Sequence, residues 1–211
     1  KKILLVNLSK GKTGDVNAEL LGLVIVSKLQ MAALTRADIP EEDRHDFFLY
    51  IDEFQNFITD SIAVILSEAR KYRLNLIIAH QYIGQLVKNG DTKIKEAVFG
   101  NVGTTYVARI GPEDVDTLEK IYSPDFTGYD LINSDKYTWY VKMIVDNSQM
   151  KPFTMNLEIV GPGDRELAEA IKELSRLKYG RDKAIVEAEI AERTRAPKKA
   201  VAATPPPSAQ R

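Results

Sequence analysis

The sequence predicts an α/β fold built around a mostly parallel sheet flanked by helices. Short, uninterrupted apolar runs recur at Ile3–Val6, Phe47–Ile51 and Leu74–Ala79. Runs of that kind mark strands buried on both faces of a parallel sheet. Between them lie segments with helical periodicity. In one, Ile62, Ile65, Leu66 and Ala69 recur at i, i+3, i+4 and i+7, the stripe of a helix that covers a sheet. Strands alternating with helices give the parallel arrangement.

In chain order, the strand Ile3–Val6 leads into a loop over residues 7–15, broken by Gly11 and Gly14. Asn17 is placed to cap a helix running to about Arg36. Its longest uncharged stretch, Leu20–Ser27, is flanked by Glu19 and Lys28. That falls short of the ~18–20 apolar residues of a membrane span, so the segment reads as a buried core helix and the chain is expected to hold no membrane span. A charged loop around Pro40 precedes the strand Phe47–Ile51. Thr59 or Asp60 caps the next helix, and Leu74–Ala79 is the third strand.

Helical pieces are expected at Tyr82–Val87 and Ile94–Phe99, and strands at Thr104–Ala108, Tyr137–Val145 and Phe153–Val160. Pro112 suits the first turn of a helix through Ile121. The character changes at Gly161-Pro162-Gly163. Residues 1–160 read as one α/β unit and residues 161–194 as a charged helical extension with a break at Gly180. Residues 195–211 read as a disordered, basic, Pro/Ala-rich tail containing Pro205-Pro206-Pro207.

The chain has 211 residues, 44% hydrophobic and 28% charged, the balance of a globular protein. Its net charge of −1 excludes a chain-wide electrostatic attraction to nucleic acid, so any DNA contact must come from a local patch or from assembled subunits. The absence of cysteine excludes disulfides and thiolate metal sites. No secretory signal is readable at the start, and the chain reads as a piece that begins just before a strand.

The sharpest chemical signal is Phe47 to Glu53, FFLYIDE. A strand of bulky apolar residues ending in Asp-Glu holds one carboxylate rigidly, where it can bind Mg²⁺ directly or through water, and sets a second beside it to polarise a water. A strand that merely ends in an acidic helix cap gives the same pair. Beyond it come Glu68-Ala69-Arg70-Lys71 at a helix end and a strand ending Ala79-His80-Gln81. Gly11-Lys12-Thr13 mimics the end of a P-loop, but the position five residues before Gly11 is Val6, not Gly, and no other GxxxxGK[ST] occurs.

Among other polar groups, Glu113, Asp114, Asp116 and Glu119 fit an exposed acidic helix face better than a metal site. The two histidines, His45 and His80, lack metal-ligand spacing, and His80 reads as packing or a local hydrogen bond. Trp139 with Tyr137 and Tyr140 is explained by strand alternation more cheaply than by base stacking.

The order strand-DE, helix-ARK, strand-HQ resembles the FtsK–HerA branch of RecA-like P-loop ATPases. It is closest to the coupling proteins of conjugation and type IV secretion, the TraD/TraG class. The opening NLSKGKTG, Leu21-Gly22 and Gly100-Asn101-Val102-Gly103 leading into Val107-Ala108-Arg109 are similar as well. The resemblance covers about residues 1–160 and implies the C-terminal part of a RecA-like ATPase, with the phosphate-binding Walker A segment upstream of residue 1. It implies that Asp52 holds Mg²⁺, that Glu53 activates water and that Gln81 senses the γ-phosphate of ATP. Arg70 is the candidate arginine finger, with Arg109 the alternative.

For the parent protein the resemblance implies ATP hydrolysis coupled to DNA movement. It implies self-association into a ring, a hexamer, with secretion-channel or relaxosome proteins as further partners. The expected location is cytoplasmic, at the inner face of the cell membrane through segments outside this chain. A HerA-type cytoplasmic DNA translocase and a non-catalytic assembly or substrate-recruitment module remain the alternatives, and without a Walker A the fragment alone is expected to be inactive.

Overall fold

A computed structural model describes residues 2–58 and 60–195. They fall into two compact units that divide after Glu158. The expected basic tail, apart from Arg195, and the expected cap Thr59 lie outside the described residues.

The first unit opens with a helical turn α1 (Lys10–Thr13) and the long helix α2 (Asp15–Leu34). Strand β1 (Phe47–Ile51) follows, then helix α3 (Asp60–Glu68), a 3-10 turn at Ala69–Tyr72 and strand β2 (Leu74–Ile78). A 3-10 turn at Ile83–Leu86 leads to helix α4 (Lys93–Asn101) and strand β3 (Thr105–Val107). Pro112 opens a 3-10 turn that runs into helix α5 (Val115–Tyr122), and a short helix α6 (Gly128–Ile132) comes next. Strands β4 (Thr138–Lys142), β5 (Ile144–Val145), β6 (Ser148–Gln149) and β7 (Phe153–Asn156) complete the unit.

The parallel pairing is confined to β1 and β2, in register from Phe47 opposite Leu74 to Ile51 opposite Ile78. β3, β4 and β7 form a separate antiparallel sheet, and β5 and β6 a small hairpin. The strand expected at Ile3–Val6 does not form. Ile3, Leu4 and Leu5 are 89%, 67% and 83% exposed. A strand needs a neighbour to take its backbone donors and acceptors, and among the described residues β1 pairs with β2 alone.

Helix α2 also departs from expectation. Ala18, Gly22, Val26 and Ala33 are buried, while Val16, Leu20, Val24 and Met31 face outward. Small side chains line the packed face because the helix lies close to the turns that follow β1 and α3; a Cβ added at Gly22 would come within 2.1 Å of the Phe57 ring. By length and composition the stretch Asp15–Asp38 is long and apolar enough to cross a membrane, contrary to the reading from uncharged length alone.

Two apolar cores form within this unit. In the first, Ile51, Phe54, Ile62, Ile65, Leu74, Leu86 and Val98 pack around one face of β1 and β2. The second joins Ile83, Val107, Leu118, Tyr122, Leu131 and Tyr140. Tyr122, fully buried, donates its hydroxyl to the Thr105 and Tyr140 carbonyls at 3.0 and 3.2 Å, so its polar end is satisfied inside an apolar core. Burial raises its pKa far above the usual tyrosine value. In β4 Tyr140 and Val141 are both buried and Trp139 is half-buried, so the strand is covered on both faces at its centre instead of alternating.

The second unit contains helix α7 (Arg165–Tyr179), capped by the Asp164 side chain on Leu167 N–H, and helix α8 (Lys183–Arg195). Gly180 ends α7, and a side chain there would meet the Arg176 carbonyl.

Candidate nucleotide-hydrolysis site

Parallel strands end on the same side of a sheet, so Asp52, which follows β1, and Gln81, three residues beyond β2, emerge together. Two backbone bonds tie these strand ends: Ala79 N–H donates to the Ile51 carbonyl at 3.0 Å and Phe54 N–H to the Ala79 carbonyl at 2.9 Å. Between them Glu53 takes a left-handed conformation, φ 50° and ψ 46°. A side chain larger than glycine pays about 1–2 kcal/mol for that backbone. The core contact of Phe54, fully buried directly after it, offsets the cost.

The turn aims the Glu53 carboxylate at β2. Gln81 Nε2 donates to its Oε1 at 2.9 Å, and Gln55 Nε2 donates to its Oε2 at 2.5 Å. Asp52 is exposed, and its Oδ1 accepts from Glu53 N–H at 2.9 Å. An exposed carboxylate on a rigid strand end suits a water-mediated Mg²⁺ contact. Gln55 Oε1, on the same side chain as the amide that meets Glu53, is buried and accepts no hydrogen bond among the described residues.

The loop carrying Gln81 is wired to its own turn. Gln85 Oε1 accepts from Gln81 N–H at 3.0 Å and from Tyr82 N–H at 3.3 Å. His80 Nδ1 lies 3.3 Å from the Tyr82 carbonyl. Burial lowers the pKa of His80, against smaller opposite pulls from that carbonyl and from Asp114.

The two candidate fingers stand apart from the acids. Arg70 lies in the turn before β2, at the opposite end of the β1–β2 ladder. Five residues of strand put roughly 16 Å between the two ends, too far for Arg70 to serve the Asp52–Glu53 pair of its own chain. Its segment is held firmly. Arg36 Nη1 donates to the His45 and Tyr72 carbonyls at 3.0 and 2.7 Å, and Arg44 Nη1 donates to the Lys71 carbonyl. Arg109 follows β3. Both Arg70 and Arg109 are exposed, and neither has an ion-pair partner among the described residues.

Gly11-Lys12-Thr13 belongs to the helical turn α1, where Thr13 N–H donates to the Ser9 carbonyl and Gly14 N–H to the Lys10 carbonyl. These bonds use the donors of Thr13 and Gly14 alone; what the segment lacks is the glycine-rich loop of a phosphate cradle, Val6 standing where the first glycine would be. Lys10 Nζ reaches Asn56 Oδ1 at 3.3 Å, which places this turn beside the one that follows Glu53. Asp52 and Glu53 supply two adjacent carboxylates at a strand end, and the pattern GxxxxGK[ST] does not occur in the chain. Among the described residues no three His, Cys, Asp or Glu side chains gather as a metal cluster.

Of the expected acidic face, Glu113 and Asp116 are exposed, while Asp114 is buried and Glu119 half-buried. Asp114 is 5% exposed and takes Ile83 N–H on both oxygens, at 3.1 and 3.2 Å, while Glu119 accepts from Gly128 N–H at 2.8 Å. Sequence spacing gave no signal for either contact.

Residues 46–124 match the family described as the TraM recognition site of TraD and TraG. An uncharacterized protein of Mycoplasma pneumoniae is 25% identical over 113 residues, 53% of this chain and 73% of that protein. The conjugative coupling protein TrwBΔN70 in an unbound form superposes with a TM-score of 0.52 at 19% identity, over 67% of this chain and 38% of that one. TrwB bound to a non-hydrolysable ATP analogue gives 0.53 at 19% identity over the same shares, and TrwB with ADP and Mg²⁺ gives 0.50 at 20%, over 63% of this chain and 35% of that one. The chain thus spans about two-fifths of the length of these coupling-protein structures. The shared architecture is the α/β RecA-like fold. In that fold, and over residues 46–124, this chain is similar to the coupling proteins of conjugation.

Proposed function

We propose that this chain is the Walker B part of an ATP-driven, DNA-translocating motor, a coupling ATPase of a type IV secretion or conjugation system. The observation that carries the reading is the contact between Gln81 and Glu53 at the paired ends of two parallel strands, with the exposed Asp52 carboxylate beside it. Asp52 holds Mg²⁺ directly or through water, and the ion supplies charge neutralisation at the phosphates. Glu53, fixed by two amide donors, takes the proton of the attacking water. Gln81 couples that carboxylate to the γ-phosphate. Arg70, remote from its own acids, serves the site of a neighbouring subunit in a ring, which the reading takes as a hexamer.

DNA is the cargo in this reading, and the description of the matched family supports a relaxosome protein such as TraM as a partner. The location is cytoplasmic, at the inner face of the membrane. The missing GxxxxGK[ST] pattern favours a second reading, in which the chain is an assembly module that completes a separate phosphate-binding half. A HerA-type cytoplasmic translocase would use the same acids. The test is ATP hydrolysis by the intact protein with and without duplex DNA. Stimulation by DNA supports the motor. Absence of hydrolysis under both conditions supports the module.

A further inference from the structure

Asp114 is a buried carboxylate that the proposed chemistry does not use. It ends the 3-10 turn Pro112–Asp114 and has no ion-pair partner among the described residues. Both its oxygens lie within hydrogen-bond distance of one backbone donor, Ile83 N–H. A charge taken out of water is costly and is kept where something specific answers it. Here the answer comes from the first residue of the turn that follows Gln81.

Ile83 is held twice by the second core. Its side chain packs with Leu118 and Tyr122 of α5, and its N–H sits on the carboxylate that precedes α5. Leu86, at the other end of the same turn, packs in the first core with Ile51 and Phe54. Residues 83–86 are therefore the seam between the two cores. Gln85 of this turn fixes the N–H groups of Gln81 and Tyr82, and Gln81 reaches Glu53. A continuous chain of bonds runs from α5 through Asp114, Ile83 and Gln81 to the acid pair.

We propose that Asp114 is a positioning residue for ATP hydrolysis, anchoring the loop 80–85 so that the Gln81 amide meets Glu53. The proposal rests on the reading of Asp52 and Glu53 as the hydrolytic pair. It makes the packing of α5 a determinant of turnover, although α5 itself touches neither acid.

The test uses the intact protein and the variants Asp114→Asn, Asp114→Ala and Asp114→Leu. Asn keeps an acceptor oxygen for Ile83 N–H, Ala removes it, and Leu removes it while filling the space, so that a fold lost to a cavity in the Ala variant still leaves a packed one to read. Amide hydrogen exchange over residues 80–85, without nucleotide, is read beside kcat and KM for ATP. The Ala and Leu variants exchange this segment about tenfold faster and lose about tenfold in kcat with KM unchanged, the effect of one hydrogen bond. The Asn variant stays within about threefold of wild type on both. In a Gln81→Ala background the Asp114 substitutions cost nothing further, because the group they position is gone. An equal loss of kcat in that background, or unchanged exchange at 80–85, overturns the proposal. If the wild-type protein hydrolyses no ATP, the motor reading fails first, and the exchange contrast still decides whether Asp114 holds the loop.

Discussion

Gln81 Nε2 lies 2.9 Å from Glu53 Oε1, a side-chain bond across 28 positions of sequence that joins the ends of two parallel strands. The sensor expected to read phosphate is thus also a ligand of the expected base. Gln81→Ala removes one of the two donors that fix the carboxylate. A loss of about 10²-fold in kcat is expected, the scale of removing one preorganised donor, with nucleotide binding retained. Stopped-flow binding of a fluorescent nucleotide beside steady-state hydrolysis measures both quantities. Equal loss of binding and turnover would assign Gln81 to the fold alone.

Arg70 is expected to act in trans. Its guanidinium is exposed, its turn is clamped by Arg36 and Arg44, and its own acids lie at the far end of the strands. Arg70→Ala lowers kcat by about 10³-fold or more with no change in melting temperature, since the side chain makes no ion pair. Arg70→Lys recovers little of that, because an ammonium lacks the planar fork. Arg109→Ala leaves the rate near wild type. Mixing Arg70→Ala subunits with Glu53→Gln subunits restores hydrolysis at the interfaces where an intact Arg70 faces an intact Glu53, and a rate that stays at the level of either variant alone contradicts the assignment.

Gly22 is required by a close approach. Alanine there gains about 1 kcal/mol of helix propensity. Its methyl group would lie 2.1 Å from a Phe57 ring atom and 3.1 Å from Leu8 Cδ1, an overpacking that costs about 1–3 kcal/mol. Gly22→Ala is therefore expected to destabilise the first unit by about 1 kcal/mol net, measured by urea unfolding. A stabilised variant would show that the ring moves freely.

The loop after β2 is expected to loosen in acid. His80 has its pKa lowered in the fold, mainly by burial, so the unfolded chain binds its proton more tightly. Its contribution to stability is therefore fully present above the unfolded value, about 6.5, and is lost as pH falls from there through the folded value. Hydrogen exchange over residues 78–85, corrected for the intrinsic rate, rises as pH falls from 7.5 to below 6. In His80→Asn that rise disappears. A rise that persists in His80→Asn would place the titrating group elsewhere.

The frame of the candidate site was legible because a period-free apolar strand ending in two acids is a local signal. Phe47–Ile51, the acids after it and Leu74–Ile78 lie where the apolar runs put them. The strand expected at Ile3–Val6 is absent because strand formation depends on a neighbour, which no local run encodes. Asp114 read as surface because the Ile83 N–H that draws it inward is 31 positions away. The strand expected at Tyr137–Val145 divides into β4 and β5, and β5 turns back into the hairpin with β6. Its turn residues Asp146 and Asn147, with φ of 49° and 60°, are the kind that close a two-residue hairpin, and they were a signal left unused.

In the proposed motor Glu53 is the base that takes the proton of the attacking water. Glu53→Gln keeps the shape of the side chain and an acceptor oxygen for Gln81 while removing the negative charge. The most direct measurement is single-turnover hydrolysis of ATP by the intact protein bound to DNA, wild type beside Glu53→Gln, with nucleotide affinity read on the same samples. The account predicts that hydrolysis falls by about 10²-fold or more while affinity is unchanged. Equal hydrolysis by the two proteins would contradict it and leave Glu53 as an acidic residue at a strand end.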